Sequence, residues 1–272
     1  MISKNKLMTK LIGDIEPYKG TIYLACCIGV ENDFDMVPHF VKYYKNLGVD
    51  KFLFVLNTGD KNSEKLKYVQ DILREHDIEE EKIWIGVFIE HTKLNYMKQI
   101  IVNNTNLEDW VITTDTDELQ DYFCNLRKLI SYLDSNSYIC VAGRWDDRLS
   151  IDGKIIEVIN DDVDLFEIFP IKTNVLDNVY KGDLFFKPDS FNQKIMLHKS
   201  YMEFDGGNHG CKNLEKHDIF PNYLVVNHFK WRGRFIENQI KKANQYRKNK
   251  NYAAANFYDR VTNHYETNKS FL

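Results

Sequence analysis

Between Thr21 and Thr114 the chain alternates short apolar runs with amphipathic helical stretches, and this rhythm leaves few architectures open. Strand-like runs cover Tyr23–Val30, Lys51–Leu56, Ile83–Ile89 and Trp110–Thr114. Between them lie Asp35–Leu47, with Val37, Phe40, Val41, Tyr44 and Leu47 at helical spacing, then Ser63–His76, with Leu66, Val69, Ile72 and Leu73 on one face, then Tyr96–Asn104. Gly48 stops the first helix, and Asn57-Thr-Gly59-Asp60 closes the second strand. Repeated β-α-β-α units with short connections predict an α/β fold, a doubly wound and mostly parallel sheet with right-handed crossovers. The strands read as continuous β-branched and aromatic runs, as expected when both faces are covered.

After Asp117 the rhythm changes. Leu126–Leu133 reads as a helix and Tyr138–Ala142 as a strand. An irregular stretch from Gly143 to Phe220 follows, with β-like pieces at Leu165–Ile171 and Lys194–His198, a smaller mixed β region forming the second wall of a cleft. Tyr223–Phe229 is a further strand, and from Arg232 to about His264 the pattern is helical. No repeat or low-complexity linker divides the chain. The expected organisation is a catalytic body over 1–231 and a C-terminal helical extension over 232–272.

The totals exclude several classes. At 272 residues the chain can bury one large core. A net charge of −4 and a pI near 6.1 give no overall attraction to nucleic acid. No G-x-G-x-x-G follows the first strand and no phosphate-binding P-loop is present, which argues against a dinucleotide enzyme or a P-loop NTPase. The five cysteines show no C-x-x-C spacing, so a zinc site or disulfide framework is not expected and a reducing cytoplasm is the natural setting. Met1–Lys10 is polar, without the apolar stretch of a signal peptide, and no segment approaches the roughly 18 apolar residues that span a bilayer.

Chemistry concentrates where the fourth strand runs out, in Trp110-Val-Ile-Thr-Thr-Asp115-Thr-Asp117-Glu118. Open α/β sheets bind ligands outside the carboxyl ends of their strands. Two aspartates one residue apart, on a turn, can hold a hard divalent cation while leaving room for water and phosphate oxygens.

Several motifs occur in order along the chain: Glu31-Asn32-Asp33 after the first strand, Asn46-Leu47-Gly48-Val49-Asp50 ending a helix, Asn57-Thr-Gly-Asp60, and Trp110 leading to Asp115-Thr-Asp117-Glu118. Asp147-Arg148-Leu-Ser-Ile-Asp152-Gly153, Gly206-Gly207-Asn208-His209 and His228-Phe229-Lys230-Trp231 follow. Over roughly Tyr23 to Lys242 the chain resembles the family-2-like glycosyltransferases of the GT-A fold. It departs from their pattern at Asp33, where they usually have Glu, and at Gly59, where they usually have Ser.

The resemblance implies sugar transfer from a nucleotide-diphosphate donor, a UDP-sugar in the first instance, to a glycan or lipid-linked acceptor in surface polysaccharide synthesis. It implies Mn²⁺ or Mg²⁺ at Asp115 and Asp117, with Glu118 orienting waters and a histidine as third ligand. His228 is the first candidate for that ligand and His209 the second. Nucleotide contacts fall on Asn32, Asp33, Asn57, Asp60, Lys98, Asp115 and Lys230. Acceptor contacts fall on Trp145, His209 and Trp231. A catalytic base would come from Asp146, Asp147 or Asp205, with Asp147 preferred because Arg148 beside it would hold it ionised.

The segment from Lys230 to Lys250 carries eight basic residues and the single acid Glu237, a composition suited to peripheral contact with anionic lipid on the inner face of the membrane. Tyr252, Phe257, Tyr258 and Tyr265 suggest packing on the body or on a second copy in a homodimer. Two other readings compete. A nucleotidyltransferase would carry a Gly-rich basic loop after the first strand, where this chain has Glu31-Asn-Asp33. A non-catalytic carbohydrate-binding module would have no use for Asp115, Asp117 and His228.

Overall fold

A computed structural model of the chain describes residues 12–181, 193–204, 207, 209–211 and 214–272. The chain divides into two compact units, Met1–Trp145 with Asn192–Val226, and Asp146–Phe191 with Asn227–Leu272.

The first unit is α/β. Its strands are β1 (Ile22–Gly29), β2 (Lys51–Thr58), β3 (Lys82–Ile85), β4 (Trp110–Thr113), β5 (Glu118–Asp121), β8 (Gln193–Lys199) and the leading parts of β6 (Cys140–Leu149) and β9 (Leu224–His228), in the order β3-β2-β1-β4-β8-β6-β9-β5. β1 runs parallel to β2 and β4, and β2 parallel to β3, while β8 lies antiparallel to both β4 and β6. Helices α1 (Val30–Asp33), α2 (Val37–Leu47), α3 (Glu64–Glu75), α4 (Glu90–Asn104) and α5 (Leu126–Ser135) connect the strands. Tyr23, Ala25, Cys27, Leu53, Val55 and Val111 pack on Met97, Ile100 and Ile101 of α4. The opposite face carries Phe54, whose ring lies 6.1 Å from that of Phe40 on α2. Burial on both faces explains the unbroken apolar runs. The expected doubly wound α/β arrangement is present. Gly48 ends α2 at φ +99, a left-handed position that favours glycine.

Several expected boundaries move. The third strand stops at Ile85, because Gly86 turns the chain at φ +140, and the apolar residues Val87 to Ile89 are exposed in the approach to α4. That helix begins at Glu90, six residues before its apolar spacing becomes visible. β6 continues to Leu149 beyond the expected end at Ala142, so Trp145, Asp146, Asp147 and Arg148 lie on a strand. Its extension pairs with β8 at Gly143 and Arg144, and with β7 (Ile171–Thr173) at Asp147 to Leu149. The run Leu165–Ile171 is divided. Asp164 Oδ1 accepts the Phe166 N–H at 2.7 Å and caps one helical turn, α6 (Leu165–Ile168), and β7 begins only at Ile171.

β8 buries His198 completely. Its Nδ1–H donates to Lys199 O at 2.8 Å, leaving Nε2 to accept the Thr113 hydroxyl at 2.6 Å. Burial lowers its pKa from 6.5 to about 4. The unfolded chain therefore binds this proton more readily than the folded one, and stability should fall as pH drops through the window from about 6.5 to about 4. The shift corresponds to about 3 kcal/mol. Urea titrations at pH 7 and pH 4.5 test this. A His198→Gln variant should lose much of the difference, and a variant with the full wild-type pH dependence would place the acid sensitivity elsewhere.

In the second unit, β7 pairs with the end of β6, and α7 (Val175–Val179), α8 (Phe235–Lys248) and α9 (Tyr252–Asn268) complete the element order. The helical pattern expected from Arg232 onward is present as two helices, separated at Asn249–Asn251, with Lys250 at φ +57. Leu149, Val175, Val179, Trp231, Phe235, Val261 and Phe271 form one core. The C-terminal helices thus share their apolar interior with residues 146–181.

Candidate functional site

The Asp115–Glu118 segment is a tight turn. Glu118 N–H donates to Asp115 O at 3.1 Å, and the Thr114 hydroxyl to Glu118 O at 3.2 Å. Tyr44 of α2 braces the turn from below, its hydroxyl donating to Glu118 O at 3.0 Å. Thr116 is buried, its hydroxyl 3.6 Å from Cys26 Sγ, while Asp115 and Asp117 on either side of it are half-buried. The spacing of the motif has this cause. The middle threonine anchors the turn inward and the two aspartates flank it at the carboxyl end of β4.

The Asp115 carboxylate is gripped by two lysines. Lys93 Nζ, from the first turns of α4, lies 2.6 Å from Oδ1, and Lys194 Nζ, from the start of β8, lies 3.0 Å from Oδ2. Lys194 also pairs with Glu118 Oε1 at 2.9 Å, and both of those side chains are at most 2% exposed. Burial by itself would raise the pKa of Asp115, but Lys194 and Lys93 outweigh it and hold the carboxyl far below the ordinary range. Burial would likewise lower the lysines. Asp115 outweighs it at both, joined by Glu90 at Lys93 and by Glu118 at Lys194, and both ammonium groups titrate above their usual value. Asp115 and the two lysines therefore stay ionised around neutral pH.

Trp145 and His209 complete this corner. The Trp145 indole N–H donates to Glu118 Oε1 at 2.9 Å, and Lys194 Nζ stands 5.0 Å from its ring. The His209 ring meets Trp145 edge-on at 5.1 Å, and its Nδ1 is 2.9 Å from Gln193 O. Nδ1–H therefore donates to that carbonyl. Gly207, at φ +68, lets the backbone pass His209 where a Cβ would meet the ring at 2.8 Å, and its N–H donates to Glu90 Oε1 at 3.0 Å.

The donors suit a hard divalent cation. Asp117 and Glu118 each bring a carboxylate oxygen within 4.8 Å of the other. Asp115, Asp117 and Glu118 carry three negative charges against two from the lysines, so the turn has an excess of anionic oxygen.

The remaining residues expected at a site are placed as follows. Asn57 holds β3, its amide donating to Trp84 O at 3.2 Å and Gly86 O at 3.1 Å. Asp60 Oδ1 accepts the Asn62 N–H at 2.9 Å within its own turn. Asn32 and Asp33 lie in α1, where Glu31 accepts the Thr58 and Ser63 hydroxyls at 3.0 and 3.1 Å. Lys98 is exposed and paired with Glu203. Asp205, Gly206 and Asn208 lie outside the described residues.

In the second unit, Asp147 Oδ1 accepts from His228 Nδ1 at 2.8 Å and Oδ2 from the Val175 N–H at 2.9 Å. Arg148, expected to hold Asp147, donates instead through Nε and Nη2 to Asn227 Oδ1 at 2.9 and 2.7 Å, as neighbours on a strand point to opposite faces. Asp146 lies 3.5 Å from Lys172. Trp231, expected against an acceptor, is core: its ring lies 4.7 Å from Phe235 and 4.6 Å from Phe271. Lys230 is half-buried, 5.9 Å from the rings of Trp231 and Phe235.

Sequence reasoning missed Lys93 and Lys194. The second had a signal, a lone lysine opening the apolar run Ile195-Met-Leu197. The first had none, since Lys93 precedes the visible helical spacing.

No family model matches the chain, and no curated protein matches it. Among solved structures it is similar to a mycobacterial protein, with TM-score 0.39 and 9% identity over 84% of this chain and 70% of that one. It is also similar to S. aureus TarS 1-349, with TM-score 0.37 and 9% identity over 82% of this chain and 64% of that one. The chain thus spans just under two thirds of the TarS fragment. Neither likeness bears on what the chain does. Among the described residues, no helix is long and apolar enough to cross a membrane.

Proposed function

We propose that the chain is a metal-dependent glycosyltransferase that uses a nucleotide-diphosphate sugar, with Asp117 as the direct ligand of Mn²⁺ or Mg²⁺. The observation that carries this reading is the acidic turn at the carboxyl end of parallel strand β4, with Asp117 beside Glu118 and Asp115 already neutralised by two lysines. A cation held there by Asp117 would supply Lewis-acid stabilisation of the charge that develops on the leaving diphosphate. The chain's own part is to fix the turn and to hold Asp115 ionised through Lys93 and Lys194. Trp145 and His209, which adjoin it, are assigned to the acceptor.

The test is a thermal-shift panel with UDP, GDP and CDP, each with and without Mn²⁺. Stabilisation by one of them that grows with Mn²⁺ is the expected result. No shift with any of the three, in either condition, would refute the reading.

The resemblance assigns the third metal ligand to His228, and the structure supplies one support for it. Nδ1 donates to Asp147, the outer hydrogen bond that metal-binding histidines commonly make. With a donor on each oxygen, Asp147 is assigned to orienting His228. His228→Ala should weaken Mn²⁺ affinity about tenfold or more, and more than His209→Ala. Calorimetric Mn²⁺ titration of both variants decides, and the reverse ranking would transfer the ligand role to His209.

A glycan or lipid-linked acceptor would suit a chain that meets anionic lipid through 230–250. Arg234 and Arg247 are committed to Glu237 and Asp259, while Lys241, Lys248 and Lys250 are exposed. Sedimentation with phosphatidylserine vesicles at low salt should carry the chain down. Replacing those three lysines by glutamate should abolish it, and equal binding by that variant would remove this assignment.

A further inference from the structure

We infer that Lys93 and Lys194 are built-in counter-charges for the donor's diphosphate, with Asp115 acting as the positioning residue that holds both ammonium groups in place; this rests on the nucleotide-diphosphate reading above.

Three observations lead here. The first is location. Lys93 enters from the start of α4 and Lys194 from the start of β8, and they meet at the carboxyl end of β4, the edge at which open α/β sheets receive ligands. Lys199, at the far end of the same strand β8, makes the contrast. Its ammonium joins Asp134 of α5 at 2.8 Å, Glu108 O at 2.9 Å and the Trp110 ring of β4 at 4.5 Å, and so ties α5 to the start of β4 at the opposite edge of the sheet.

The second is hydrogen-bond capacity. An ammonium has three donors. Among the described residues, Lys93 Nζ has one partner at hydrogen-bond distance, Asp115 Oδ1, since Glu90 stands 3.9 Å away and accepts from Gly207 N–H. Lys194 has two, Asp115 and Glu118. Both retain donors for further oxygens.

The third is access. The lysine side chains are 7% and 2% exposed, but the carboxylate on which they converge is 28% exposed. Asp115, on which both ammonium groups converge, is thus the exposed end of this charged cluster. Apolar residues would fill these two positions at lower desolvation cost, so packing alone does not account for two buried ammonium groups on one carboxylate. A flexible lysine stem lets each point charge follow a phosphate oxygen that arrives beside Asp115.

This arrangement predicts effects of opposite sign for two ligands. Removing a positive charge beside Asp115, Asp117 and Glu118 should weaken the diphosphate and strengthen a divalent cation, whereas simple structural damage would weaken both. The experiment is calorimetry on the full chain and on Lys93→Met, Lys194→Met and Lys93→Arg. Its probes are Mn²⁺ alone, and in EDTA whichever of UDP, GDP and CDP stabilises wild type most, together with the matching nucleoside.

In Lys93→Met the diphosphate should bind about tenfold more weakly in EDTA, the scale of one charge-assisted contact, with the nucleoside unchanged. Mn²⁺ should bind several-fold more tightly, and Lys93→Arg should restore the diphosphate. If Lys194→Met fails to fold, Lys93→Met and its arginine rescue decide. The inference is overturned if the methionine variant keeps the wild-type gap between diphosphate and nucleoside, if it loses Mn²⁺ affinity as well, or if wild type binds the diphosphate only with Mn²⁺. That last outcome leaves the transferase reading standing. Failure of wild type to bind any of the three, with or without Mn²⁺, removes both.

Discussion

Asp117→Ala should abolish the Mn²⁺-dependent part of nucleotide-diphosphate binding and leave the fold intact. The two halves of this expectation have separate grounds. Asp117 is half-buried on a turn whose backbone is held by Glu118 N–H, the Thr114 hydroxyl and the Tyr44 hydroxyl, none of which needs the Asp117 side chain. Its loss should therefore leave the turn and the fold standing. What disappears is one of two carboxylates whose oxygens lie within 4.8 Å of each other, and with it an anionic ligand for a hard cation. Thermal shifts with the best nucleoside diphosphate, with and without Mn²⁺, should become indistinguishable while the melting temperature without ligand stays at the wild-type value. An unchanged Mn²⁺ increment would remove Asp117 from the metal site.

Asp115→Ala should behave in the opposite way, as a stability variant first. Asp115 bonds Lys93 at 2.6 Å and Lys194 at 3.0 Å, and among the described residues its removal leaves Lys93 with Glu90 at 3.9 Å, and Lys194 with Glu118 at 2.9 Å and the Trp145 ring at 5.0 Å. Removing one partner of a buried ion pair is far more damaging than the net worth of the pair, because the other charge remains desolvated and uncompensated. The expected loss is about 3 kcal/mol, a fall in melting temperature on the order of 10 °C for a chain of this size. The Lys93→Met, Asp115→Ala double variant should recover part of that loss, since the stranded ammonium is then absent. Chemical denaturation of the set measures it. An Asp115→Ala variant as stable as wild type would show that the lysines find other partners at no cost, and that Asp115 does not hold them.

The contrast between two aspartates of one D-x-D motif shows where sequence reading stops. The motif, its strand and its position on the sheet follow from local pattern: an apolar run that ends in Thr114-Asp115-Thr-Asp117. The difference between the two acids depends on Lys93, 22 residues earlier, and Lys194, 79 residues later. A second case is Asp147. Its neighbour in sequence, Arg148, is the obvious partner on paper, yet strand alternation sends the two apart, and Asp147 meets His228 from 81 residues away. A third is Trp231, whose aromatic surface is the same whether it meets a sugar or Phe271; only the packing of the chain's last residues against Phe235 decides that it is core.

By itself, then, the sequence determined the alternation of strands and helices, the helix stop at Gly48, and the placement of Asp115 to Glu118 at a strand's carboxyl end. These depend on side-chain period and turn chemistry over a few residues. Tertiary structure alone decided which charges meet, how far β6 extends, and which core the C-terminal helices join. Those outcomes depend on strand pairing and ion contacts between residues distant in the chain, for which one-dimensional periodicity carries no signal.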